Sequence, residues 1–304
     1  MEKVIQSQAS KSSLNYISPL RNGYIVMTLV LLIWSGFSLT VRAIGASPLS
    51  IADVALIRFA VPLILLAPLV PSHLKAIKKI RFSDVLLVLL GGVPFLFLAS
   101  LGAKTTPAAY VGTVLAGTSP FFVAVLSYVF YRKNISTKQV FSLSLILAGI
   151  VTMVLDRTVN TSSEMTGGIF YLLSAAVIWA GYTIGLKRAG LNPITVAIIL
   201  SYLSFFITLG LIYFELVTTN FGSFSFQEAL PFVLVQGLGV GILATIGFSY
   251  AVNQLGSDRA SIIGSISPGL TALLAVVIFD EPLSIVILCG IALTIAGVIL
   301  SNRS

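Results

Sequence analysis

Ten predominantly apolar runs, most about twenty residues long, follow one another along this chain. They cover residues 24–44, 51–70, 85–103, 108–131, 140–155, 169–186, 194–217, 230–252, 260–279 and 283–301. A helix needs about 20 such residues to cross a hydrocarbon layer of ~30 Å. The connections are short, so helices adjacent in sequence are expected to run antiparallel. No stretch is left over for a water-soluble domain. Charged residues make up 9% of the chain and hydrophobic residues 57%, against roughly 25% charged in a soluble protein. There is too little charge to coat a wet surface, and the expected fold class is all-α integral membrane with ten transmembrane helices.

The formal charge of +8 does not point to nucleic acid, which needs cations gathered on one accessible face. Here they stand in short clusters between apolar runs, the pattern that sets the orientation of a membrane protein. With the N-terminus inside, Lys3, Lys11, Arg21, Lys75, Lys78, Lys79, Arg81, Arg132, Lys133, Lys138, Lys187, Arg188, Arg259 and Arg303 all fall on the inner side. Only Arg42, Lys104 and Arg157 fall outside, and Arg58 lies within a run. Both termini are therefore expected to be cytoplasmic. Residues 1–23 are polar and Ser-rich and read as a flexible cytoplasmic tail.

The chain also repeats itself. Thr118–Ser119–Pro120 recurs as Ile266–Ser267–Pro268, at an offset of 148 residues that also carries Ala103 onto Ala251 and Ala148–Gly149 onto Ala296–Gly297. Earlier in each half, Trp34, Gly36 and Phe37 match Trp179, Gly181 and Tyr182 at an offset of 145, followed by Gly45 with Gly190 and Pro48 with Pro193. The units are 24–156 and 157–304, each of five helices. Five is odd, so the second copy is expected to enter the membrane from the opposite side. The charges agree: Arg132–Lys133 at an inner turn correspond to Asp280–Glu281 at an outer one. Inverted repeats of this kind are a common construction of secondary transporters, with the substrate site between the copies.

The Trp-x-Gly start of each half, Arg58–Phe59 in the second run, the Ser-Pro in each fourth run and the Ala-Gly late in each fifth resemble the drug/metabolite transporter superfamily, EamA type. The likeness covers residues 24–301. It implies ten helices around a central cavity that moves a small metabolite by alternating access; the expected protein is an exporter in a bacterial inner (plasma) membrane. It leaves the metabolite open, since the type serves amino acids, nucleosides and other solutes. The partners expected are that metabolite and the surrounding lipid.

Five residues are candidates for binding substrate. Arg58 stands alone in an apolar run, and a charge in a membrane helix normally faces a cavity or a partner. Its guanidinium suits a carboxylate or other anionic group, but it also stands near enough to Asp53 to be its structural partner, or to snorkel outward. Trp34 and Trp179 sit mid-run, away from the interfacial belt, and either line a polar cavity or pack against Gly36 and Gly181. Tyr182 lies one turn beyond Trp179. Gln236, polar and mid-run, bonds either substrate or another helix. Ser119–Pro120 and Ser267–Pro268 interrupt helices at paired positions, because proline frees a carbonyl one turn earlier; they are candidate cavity walls or hinges.

Other chemistries find little support. His73 is the single histidine, in a basic loop, and Cys289 the single cysteine, in an apolar run where it reads as a packing residue. No His/Asp constellation for catalysis or metal binding is present, no cofactor is expected, and no polar ring suggests a channel. Gly239-x-Gly241-x-x-Ala244 loosely fits a dinucleotide fingerprint, but inside an apolar run it reads as helix packing. No phosphate-loop motif is present to support an ATP-driven pump. The first run holds no acid, a departure from the related small multidrug antiporters.

Overall fold

The computed structural model describes residues 2–132, 135–156, 163–255 and 257–301, and every element among them is helical. Residues Glu2–Ala43 form α1, Ile51–Leu66 α2, Val70–Lys79 α3, Phe82–Leu89 α4, Val93–Thr105 α5, Ala108–Gly112 α6 and Thr118–Tyr131 α7. Thr137–Val154 form α8, Ser163–Ala189 α9, Pro193–Tyr213 α10, Phe226–Phe232 α11, Thr245–Leu255 α12, Ser257–Gly264 α13, Ser267–Phe279 α14 and Ile285–Ser301 α15. Two π-helical segments, Thr113–Gly117 and Val233–Ala244, join α6 to α7 and α11 to α12.

Among the described residues, 8 helices are long and apolar enough to cross a membrane, the last being Phe226–Ala251. The ninth run is divided, with α14 at 13 residues, and α15 has 17; these two apolar helices are shorter than the others. The tail also differs from expectation. The backbone of α1 is helical from Glu2, not only from residue 24. No glycine precedes Gly23, and extending an existing helix costs far less than nucleating one.

Polar side chains fix where several helices begin. Ser50 and Asp53 form a reciprocal capping box at the start of α2, and Ser225 and Glu228 do the same for α11. Such boxes satisfy N–H groups that a first turn leaves open. α7 and α14 end alike, on Arg132 (φ 50°) and Asp280 (φ 52°), both left-handed. Those two residues stand 148 apart.

The packing repeats too. α8 lies against α15, α2 against α10, α5 against α9 and α1 against α12. At the first of these contacts, a Cβ on Gly149 would sit 2.4 Å from Thr294 Oγ1 and 2.5 Å from the Gly290 carbonyl oxygen. A Cβ on Gly297 would sit 2.7 Å from both Ile146 Cγ1 and the Ser142 carbonyl oxygen. Adding 148 to Ser142, Ile146 and Gly149 gives Gly290, Thr294 and Gly297, so the contact is the same when the halves are exchanged. Only glycine permits so close an approach, and small residues are how helices pack tightly in lipid.

The helix ends carry the ion pairs found among the described residues. Arg188 Nε lies 2.7 Å from Asp84 Oδ1, joining α9 to α4. Arg42 Nε lies 2.9 Å from Glu281 Oε1, while Glu281 Oε2 accepts from the Ala108 N–H. Cys289 is exposed on α15; it does not take the packing place expected of it, which Gly290 and Thr294 fill. Lys133, Arg157 and Arg303, counted in the charge argument, lie outside the described residues.

Candidate functional site

The capping box at Ser50 sets the register of α2 and places Arg58 two turns along it. α2 packs on the π-helical segment Val233–Ala244. Three alternating glycines make that contact close. A Cβ on Gly237 would meet Val61 of α2 at 2.7 Å, one on Gly241 would meet Pro62 at 3.1 Å, and one on Gly239 would meet Ile33 of α1 at 3.2 Å. The Gly-x-Gly-x-Gly run thus brings α1 and α2 onto one helix, as the packing reading expects. Gln236, beside it, is fully buried between them.

A short polar chain runs through this junction. Arg58 Nη1 donates to Gln236 Oε1 at 2.6 Å, and Gln236 Nε2 donates to Thr40 Oγ1 at 2.7 Å. Thr40 in turn donates to the Gly36 carbonyl oxygen at 2.8 Å. The sequence of donors orients the amide with its oxygen toward the cation. The side chain of Asp53 is engaged elsewhere. Its carboxylate accepts from the Ser50 N–H, the Thr219 hydroxyl and the Asn220 N–H. Arg58 therefore is not the ion-pair partner of Asp53, nor does it snorkel: it is 5% exposed. No carboxylate among the described residues pairs with it.

Aromatic rings extend from the guanidinium in a continuous row. Arg58 Cζ lies 5.2 Å from the Phe37 ring centre and 5.9 Å from that of Phe59. Phe37 stacks on Phe95 (5.7 Å, 16°), Phe95 meets Trp179 at 4.7 Å, and Trp179 meets Tyr182 at 4.9 Å. At the far end, Tyr182 fits over Gly91, where a Cβ would be 2.7 Å from its ring, and Gly92 faces the Ser204 hydroxyl. Gly91 and Gly92 fall in the break between α4 and α5.

Several donors along this row have no partner among the described residues: Arg58 Nε and Nη2, the Trp179 indole N–H and the Tyr182 hydroxyl. Ser204 Oγ is buried and likewise unpartnered. A charge in the interior with no counter-ion costs several kcal/mol. Contact with aromatic faces offsets about 2 kcal/mol of that at a desolvated site, and one neutral amide adds a modest bond. The site is short of negative charge.

Four of the five candidate binding residues, Arg58, Gln236, Trp179 and Tyr182, thus come together. Trp34 does not join them. Its ring meets Phe248 at 5.2 Å and packs over Gly264, in a separate cluster with Met27, Val30 and Ala251. The prolines fall where helices are irregular. Pro120 follows the π-helical turn Thr113–Gly117, and Pro268 follows a break at Ser265–Ile266 between α13 and α14. Ser119 is half-buried, whereas Ser267 is buried and bonded to Ser35 of α1 at 3.2 Å. Sequence reasoning missed Thr40, Phe37 and Phe95; Phe37 carried a signal, since it is the repeat counterpart of Tyr182. An apolar cavity of about 270 Å³ lies against Leu56, Ile57, Phe221 and Phe224, and none of the polar site residues lines it. Among the described residues no group of His, Cys, Asp and Glu could hold a metal ion.

These features define an integral membrane protein with a polar site enclosed among its helices. The model of the EamA-like transporter family matches residues 21–155 and again 166–303, and the chain belongs to that family. It is 24% identical over 94% of its length to an uncharacterized transporter of Clostridium kluyveri, of which it covers 94%. It is 25% identical over 80% of its length to the uncharacterized transporter YetK of Bacillus subtilis, covering 75% of it. An uncharacterized transporter of Archaeoglobus fulgidus is 24% identical, with 92% of this chain and 96% of the relative covered. A solved crystal structure, 21% identical, superposes with a TM-score of 0.60 over 92% of this chain and 96% of that one, a likeness of fold. The family and these relatives are alike named as transporters.

Proposed function

We propose that this protein is a secondary transporter that exports a small metabolite across the inner (plasma) membrane by alternating access, with substrate held at the Arg58–Gln236 site. The observation that carries the reading is the composition of that site. Arg58, Thr40, Phe37 and Phe95 belong to the first half; Gln236, Trp179 and Tyr182 belong to the second. A site shared between repeats is where a transporter binds its substrate, because the halves can then rock around it.

On this reading the chain spans the membrane ten times, as units 24–156 and 157–304 of opposite topology, with both termini cytoplasmic. Support comes from the exchange-symmetric contact of Gly149 and Gly297, from the matched left-handed ends at Arg132 and Asp280, and from the basic bias of one side. α15, though short, packs along α8, an apolar helix of full length. The irregular stretches before Pro120 and Pro268 are proposed hinges. The test is reconstitution of the purified chain into liposomes loaded with a mixed metabolite extract. Saturable efflux of particular solutes above protein-free vesicles is expected, and faster efflux from the cytoplasmic face fixes the direction. Turnover of a solute without flux would replace the transporter with an enzyme, and non-saturating flux would replace it with a channel.

A further inference from the structure

Resting on the transporter reading, we infer that the site takes an organic monoanion: a carboxylate on a flat, apolar body, with no ammonium group. The carboxylate follows from the cation. Arg58 spends one N–H on Gln236 and keeps Nε and Nη2, an adjacent pair of N–H groups, without partner. Two parallel bonds from a guanidinium edge match the two oxygens of a carboxylate. Gln236 and Thr40 hold the guanidinium from the other edge, so the fork is positioned before any ligand arrives.

A single negative charge follows from counting. Arg58 is the one cation described in the cluster, and a dianion would leave a net charge buried among Phe37, Phe59 and Phe95. The flat body follows from the row of rings beyond the guanidinium. An aromatic or similarly planar group can lie against those rings, while the open Trp179 N–H and Tyr182 hydroxyl offer it hydrogen bonds.

The absence of an ammonium follows from the acids whose side chains are described. Asp53 is committed to its cap and to Thr219 and Asn220, Asp84 lies beside Arg188, and Glu281 beside Arg42. Asp156, just past the end of α8, accepts from the Ser284 hydroxyl. Glu164, Glu215, Glu228 and Asp280 are exposed. An ammonium next to the bound carboxylate would face the guanidinium with none of these carboxylates to offset it. The site therefore selects against zwitterionic amino acids and in favour of their deaminated counterparts.

The test uses three probes that share one ring. Full-length protein in phosphatidylcholine vesicles at pH 7.5 is offered labelled phenylpyruvate, phenylalanine or phenyl phosphate, each corrected for protein-free vesicles. Phenylpyruvate flux should saturate and exceed that of the other two by at least roughly tenfold, the low end of what a binding pocket discriminates. Gln236→Glu places a carboxylate beside Arg58 in the shape of the native amide; it should abolish phenylpyruvate flux while the protein keeps its melting temperature. Equal or faster flux of phenylalanine or phenyl phosphate overturns the inference, as does full phenylpyruvate flux in Gln236→Glu. Saturable flux of phenylalanine alone would leave the transporter standing and remove the monoanion. No flux of any solute from a mixed load would remove both.

Discussion

The two halves of the chain agree where they pack and disagree where they meet the site. α8 and α15 cross through Gly149 and Gly297 in one geometry used twice. α2 and α10 pack together as repeat counterparts, yet one carries a buried arginine and the other does not. The positions in α10 that correspond to Arg58 under the two offsets, Leu203 and Phe206, are both exposed. Gln236 corresponds to Val88, Thr40 to Gly185, and Phe95 of the aromatic row to the exposed Leu243. Duplication supplied a scaffold, and single side chains diverged upon it. A rocking mechanism needs the scaffold to be near-symmetric, whereas one substrate in one seat needs no symmetry at all.

If the shared geometry is what holds the halves together, Gly149→Val and Gly297→Val should be equally damaging. Each forces two backbones apart, at a cost of about 3 kcal/mol, read as a loss of melting temperature in detergent. A large effect in one copy and none in the other would break the symmetry at its best-defined point. Sharpening the contrast at the site, Gln236→Leu strands the Nη1 donor of Arg58, costs about 2 kcal/mol and lowers flux. Val88→Leu, its counterpart, should cost about 1 kcal/mol, the low end for one methylene added to a packed core, as a change of packing alone.

Smaller effects are expected at the helix ends. Glu281→Gln and Asp84→Asn each weaken a partly exposed ion pair worth about 1 kcal/mol or less, and chemical denaturation should show Glu281→Gln the more costly because Glu281 also holds the Ala108 N–H. Last come Arg132→Gly and Asp280→Gly. Both relieve a left-handed residue that carries a Cβ, so each should raise stability by less than about 1 kcal/mol, the glycine's greater freedom when unfolded offsetting part of the relief. Opposite signs at the two positions would show that their matched backbones do different work.

Much of the architecture was legible because lipid leaves a helix few choices: long apolar runs, their spacing and the internal match of Ser119–Pro120 with Ser267–Pro268 follow from sequence alone. The extent of regular helix was not. The division of the ninth run at Ser265–Ile266 and the π-helical turns Val233–Ala244 depend on how neighbours satisfy the backbone. At the site, Arg58 announced itself as a lone charge and Gln236 as a lone amide, but their bond joins residues 178 apart, which no local pattern encodes. Asp53 looked like the nearer partner; its place in the capping box and its contacts to Thr219 and Asn220 removed it. Trp34 was grouped with Trp179 on repeat identity. The neighbours they meet differ, Phe248 for one and Phe95 for the other, and repeat identity cannot reveal which neighbour faces the seat.

The central claim is that the unpaired arginine of the first half, and no counterpart in the second, holds the substrate. The direct measurement is saturable solute efflux from proteoliposomes carrying Arg58→Leu, with Leu203→Arg beside it and circular dichroism on both. Leucine replaces an uncompensated buried charge with an apolar chain, so the protein should stay folded and efflux should vanish. Leu203→Arg should reduce yield, since a charge at a helix centre costs about 2.5–3.5 kcal/mol on insertion, while the protein that does insert transports normally. Folded Arg58→Leu protein that moves solute at the unaltered rate would contradict the account.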